Sequence, residues 1–120
     1  MMDFVEIENK IIEKNMELED LVLKYREELL KYVELKCQYK LEYAKAYLKN
    51  KISDNPFSKV TEEQAAQKTL IDTYSLYLQV EVSKAIVDAI YEKIQQVRLE
   101  IDSLRSILSA YKETYERTPR

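Results

Sequence analysis

Tyrosine is the most conspicuous reactive side chain here, with ten copies in 120 residues. Tyr25, Tyr32 and Tyr39 are seven apart, and Tyr39, Tyr43 and Tyr47 are four apart. Lys36 and Lys40 fall in the same helical arc, with Lys49 and Lys51 close by. Aromatic rings interleaved with ammonium groups can stack bases and neutralise phosphates along a single strand of nucleic acid. The competing chemistry is packing, since tyrosines at helical spacing bury their rings in an interface and keep their hydroxyls at its rim. A net charge of −3 favours packing. A second candidate contact is Phe57, flanked by Lys51 and Lys59 in an apparent loop. It either docks into a partner or folds back over the helix ends, and the second is the expectation.

Catalysis has little material. The chain has no His, so it lacks the side chain that most readily serves as an acid–base group near neutral pH. Cys37 is the only thiol and cannot form an internal disulfide. It has no His to activate it, and its place on an apolar row predicts a core cysteine. Glu13, Glu17 and Asp20 share a helix face, but a di-metal carboxylate bundle needs Glu-x-x-His pairs. Without Gly there is no Gly-rich phosphate loop. The residues predict no enzyme, catalytic residue, metal or cofactor.

The elements holding these residues are helices. An absence of Gly leaves little room for turns with positive φ, and the high content of charged residues fits long helices or coiled coils. Pro56 marks one break within residues 53–60. Thr61-Glu62-Glu63-Gln64 then fits a capping box, and Asp3 is a weaker cap at the other end. The expected layout is a single all-α domain: helix 1 over about 3–51, a loop at 53–60 and helix 2 over about 62–115. Equal helices and a short loop predict an antiparallel hairpin. A minor break near 15–20 stays open, because Asn, Glu and Asp cluster there. Val33, Leu35, Cys37, Tyr39, Leu41 and Tyr43 alternate with polar residues, a strand-like period, but no turn residues bound the run and helix is favoured. No apolar run approaches the roughly 18 residues of a membrane span, and the first twenty residues are too acidic for a signal peptide. A soluble cytoplasmic protein is the default expectation.

Helix 2 carries an a/d heptad: Val80, Val87, Ile94, Ile101, Leu108 and Tyr115 interleave with Leu76, Ser83, Ile90, Val97, Leu104 and Tyr111. Tyr77 and Tyr91 share one edge of this seam with Lys84, Arg98, Arg105 and Lys112, while Ile86 and Ile107 lie on the other. Apolar edges widen the stripe toward that of a multi-helix bundle. Helix 1 carries two rows. Leu30, Val33, Cys37, Leu41, Ala44, Leu48 and Ile52 step 3-4-4-3-4-4, and Tyr32, Leu35, Tyr39, Tyr43 and Tyr47 form the second. One partner helix covers one row, and the other would leave a larger apolar patch than monomers usually expose. Self-association follows as an expectation: two hairpins forming an antiparallel four-helix bundle, a homodimer or higher oligomer. Its expected interface draws Tyr32, Leu35, Tyr39, Tyr43 and Tyr47 from helix 1. Helix 2 contributes Ile90, Ile94, Val97, Ile101 and Leu104.

The stretches Tyr39–Lys49 and Glu100–Ala110 give the chain, over about 30–112, a resemblance to small helical-hairpin proteins encoded in phage and prophage genomes. That family has no settled function, so the resemblance transfers no site residues. It implies a viral accessory protein that works by binding something, in the host cytoplasm. The first functional expectation is protein–protein contact with a host factor, a defence component or a phage replication or recombination protein. The alternatives are a single-stranded nucleic-acid accessory and a structural or assembly scaffold.

Overall fold

A computed structural model describes residues 3–52 and 59–117, with side chains described through residue 114. Two helices make up the fold: α1, Phe4–Lys51, and α2, Glu62–Arg117. The all-α helical hairpin expected from the sequence is the fold observed. Phe57 and most of the loop around it lie outside the described residues.

The helix starts are set by local chemistry. Asp3 Oδ1 accepts a hydrogen bond from the Glu6 amide at 2.8 Å, satisfying one of the amides a helix start leaves open. At α2 both halves of the capping box form. The Gln64 amide donates to Thr61 Oγ1 at 3.1 Å, and the Thr61 amide donates to Gln64 Oε1 at 3.1 Å. Lys49 and Lys51 sit in the last turn of α1, where positive charge complements the exposed carbonyls. No helix break occurs at 15–20, where the Asn15 side-chain amide donates to the Ile11 carbonyl at 3.0 Å. The alternating run 33–43 is helical, because period two at these positions also satisfies the helical spacing of a polar stripe.

The hairpin divides into two compact units, Met1–Arg26 with Asp88–Arg120, and Glu27–Val87. In the first unit Ile7 of α1 and Ile90, Ile94, Val97, Ile101 and Leu104 of α2 are all buried. Phe4 meets Tyr111 at 5.9 Å between ring centroids, and Tyr25 meets Tyr91 at 6.1 Å, so α1 and α2 run antiparallel here. The Lys112 ammonium lies 5.5 Å from the centre of the Phe4 ring.

In the second unit α2 buries Ala65, Thr69, Thr73, Val80, Ser83 and Val87, a seam of small side chains. Facing it are Tyr32, Leu35, Tyr39, Tyr43 and Tyr47, each half-buried. Tyr39 contacts Tyr43 at 6.0 Å and Tyr77 at 5.9 Å, within the range of favourable tilted ring pairs. The heptad of α2 is the buried seam in both units from Leu76 through Leu108, with Leu76 and Leu108 half-buried; Tyr111 is exposed and the Tyr115 side chain lies outside those described.

The ten residues assigned to an oligomer interface all lie on the faces where the chain's own helices meet. Large tyrosine rings can span the edges of a narrow Ala/Thr/Ser/Val seam with their hydroxyls at the rim, so that row turns inward. The other row of α1 turns outward.

Each fully buried Ile, Val or Leu of the seam contributes roughly 1.5–3 kcal/mol through apolar burial. Ile94→Ala should therefore lower unfolding free energy by about 2–5 kcal/mol in chemical denaturation. Ile71→Ala, at a position 77% exposed, should change it by less than about 0.5 kcal/mol.

Candidate interaction surface

The outward row of α1 lies within the second unit: Leu30, Val33, Cys37, Leu41, Ala44, Leu48 and Ile52, all exposed. Each of the first six precedes an inward residue by two positions, as Leu30 precedes Tyr32 and Leu48 precedes Asn50. Two residues turn a helix by roughly 200°, so this row points away from α2. Leu48 is 67% exposed and Ile52 73%. Cys37 belongs to this row and is exposed, not in the core as expected, because its row faces outward.

A second apolar strip crosses the outer surface of α2 in the same unit. Leu70, Tyr74, Leu78, Val82 and Ile86 follow one another at steps of four and are exposed. Four residues advance a helix about 40° past a full turn, so the strip winds round α2 instead of tracking the buried seam.

Charge borders the α1 row unevenly. One flank carries Glu34 and Glu42, followed by Lys45 and Lys49, all exposed. Glu42 and Lys45 approach only to 3.9 Å. The other flank carries Lys36, Lys40 and Lys51. Lys36 sits 5.7 Å from the centre of the Tyr32 ring, and Lys51 Nζ donates to the Val60 carbonyl at 3.0 Å. Lys40, Lys49 and Lys59 are exposed. The lysines proposed for phosphate contact are therefore on the surface, but of Tyr39, Tyr43 and Tyr47, the rings in their arc, Tyr39 already pairs with both Tyr43 and Tyr77.

Two polar features were not anticipated. Asn50 is buried, and its amide donates to Thr69 Oγ1 at 3.1 Å and to Asp72 Oδ2 at 2.9 Å. The Thr69 and Thr73 hydroxyls donate hydrogen bonds to the Ala65 and Thr69 carbonyls at 2.7 Å each. A polar residue in a seam fixes register and rotation, because any slip strands its buried amide. The signal was available: Asn50 continues the row of Tyr39, Tyr43 and Ala46 at spacing 4-3-4.

In the first unit Lys14 Nζ lies 2.6 Å from Glu100 Oε2 and 3.3 Å from Glu17 Oε2, and Lys93 Nζ stands 4.0 Å from Glu17 Oε1. Solvent does not reach Glu100 Oε2, and its contact with Lys14 is a short ion pair. That contact holds the Glu100 carboxyl below its ordinary pKa, against the opposing effect of burial. Side-chain contacts with Glu100 and then Glu17 raise the Lys14 ammonium above its ordinary value. Of the Glu13, Glu17 and Asp20 set, Glu17 joins this network, and among the described residues no group of three His, Cys, Asp or Glu could hold a metal ion.

Depressions lined by Glu42, Lys45, Lys49 and Asp72, and by Lys10, Lys14, Leu99 and Glu100, are open grooves between the helices. No helix among the described residues is long and apolar enough to cross a membrane. Comparison with family models, with curated proteins and with solved structures gives no match to this chain.

Asn50→Ala removes both amide bonds from the seam and should cost about 1–3 kcal/mol in chemical denaturation. The Glu100 shift has a definite sign. Its pKa is lower in the folded chain, so its stabilisation is present above the unfolded value of about 4.3 and is lost as pH falls through the folded value. Lys14 acts oppositely, its share persisting below about 10.4 and fading as pH rises through its raised value. Glu100→Gln should thus lower Tm at pH 7 and flatten its fall below about pH 4.3. An unchanged acid limb in a thermal scan would remove the pair from the account.

Proposed function

We propose that this chain is a non-enzymatic accessory protein, of the kind phage and prophage genomes encode, that acts by protein–protein contact. The observation that carries the reading is the exposed apolar surface of the Glu27–Val87 unit, on the outer side of α1 and across α2. Contiguous apolar patches beyond a few hundred Å² are uncommon on monomeric proteins and mark contact sites. A binding role fits a chain with no histidine to serve as an acid–base group and no glycine to build a phosphate loop. A soluble, cytoplasmic setting accompanies this reading.

The strip Leu70–Tyr74–Leu78–Val82 is the surface offered to a different protein. Leucines and a tyrosine at steps of four suit a partner that presents its own apolar helix face. Nucleic acid is the less supported alternative, because the tyrosine rings already pack within the hairpin.

Affinity capture from bacterial lysates with the tagged chain tests the reading. The wild-type chain should retain a discrete protein, and Leu70→Ser with Leu78→Ser should lose it while the helical circular dichroism is unchanged. Failure to retain any protein, or retention that the double substitution leaves intact, overturns it. A low-salt oligonucleotide shift that Lys36→Glu, Lys40→Glu and Lys49→Glu together abolish would shift support to nucleic acid.

A further inference from the structure

We propose that the outward row of α1 is covered by the same row of a second copy, in an antiparallel isologous contact whose two-fold axis passes between Leu41 and Ala44. The inference rests on the reading of this chain as an interaction protein, and it names one partner and one register.

The spacing of the row carries the first part of the argument. Val33, Cys37, Leu41, Ala44, Leu48 and Ile52 step 4-4-3-4-4, a pattern that reads the same in both chain directions. Laid against itself head to tail, it sets Leu41 opposite Ala44 of the second copy, Cys37 opposite Leu48, and Val33 opposite Ile52. Larger residues then face smaller ones at the centre, as close packing of two helices requires. All six are exposed in the single chain, and their row points away from α2, so a second hairpin can approach without disturbing the seam.

The second part is charge. In an isologous antiparallel contact each flank of the helix meets its own copy. The flank with Glu34 and Glu42 toward one end and Lys45 and Lys49 toward the other is complementary to its own reverse. Glu34 comes beside Lys49 of the second copy, and Glu42 beside Lys45, each twice by symmetry. The opposite flank brings like charges together, Lys36 beside Lys51 of the second copy, twice by symmetry, with the two Lys40 residues on the same side, and these long side chains relieve the repulsion by bending into water. In a parallel contact each residue of the row would face its own copy, setting Leu41 against Leu41 and Ala44 against Ala44, so the matching of large with small residues favours the antiparallel arrangement. The row runs about 30 Å along the helix at 1.5 Å per residue. That length suits a reversible dimer more than an obligate one.

Cys37 makes the register measurable. In the proposed contact it faces Leu48 of the second copy and stands about 16 Å, eleven residues of helix, from the other Cys37. A disulfide needs Cα atoms within about 7 Å. Under mild oxidation the wild-type chain should therefore stay a single-chain band on a non-reducing gel, while Leu48→Cys should give a two-chain band and stop there, because the symmetric contact closes. Sedimentation of the unmodified protein at about 100 µM should give twice the chain mass, and Leu41→Glu should return it to one chain with helicity retained. A single-chain mass for the wild type overturns the proposal. So does efficient crosslinking of the wild type through Cys37, which marks a parallel contact, or a ladder of larger species from Leu48→Cys, which marks an open-ended one. A monomer that still captures another protein through α2 removes this dimer and leaves the functional reading standing; a dimer that captures nothing does the reverse.

Discussion

Two helices joined by a short loop can bury only one stripe of each against the other, and this limit shapes everything else in the molecule. Helix α1 has two apolar rows and only one can be covered within the chain. The tyrosine row is covered. Its rings span the narrow Ala/Thr/Ser/Val seam of α2, and Asn50 at its end hydrogen bonds to Thr69 and Asp72. Rotating α1 to bury the leucine row instead would strand the Asn50 amide and pull Tyr39 from Tyr77.

The two units hold together by different means. In the Met1–Arg26 and Asp88–Arg120 unit the α2 seam is built of Ile, Val and Leu, with an aromatic pair toward each end and the Lys14–Glu100 ion pair between them. The Glu27–Val87 unit has small and polar seam residues and leans on tyrosine stacking and the Asn50 cluster. A seam of threonines offers less apolar burial, so more of that unit's stabilisation must come from satisfied buried hydrogen bonds. The same unit also leaves the most apolar surface open on both helices, which is why the proposed contacts fall there.

The residues that look most reactive in the sequence have structural work instead. Tyr32, Tyr39 and Tyr43 are packed, Lys36 covers a tyrosine ring, and Lys51 closes onto the Val60 carbonyl near the end of its helix. Cys37 moves the other way, from expected core to surface.

By itself the sequence determined the helices, their ends and the α2 seam. Pro56, the Thr61–Gln64 capping box and the heptad from Leu76 to Leu108 are local signals, each acting within a few residues along one chain. Which row of α1 faces inward was not legible, because periodicity reports that two rows exist without ranking them. That choice depends on partners far apart in sequence: Tyr39 with Tyr77, and Asn50 with Thr69 and Asp72. Only the folded hairpin brings them together, and by covering the tyrosines it decided that the leucine row would be the one left open.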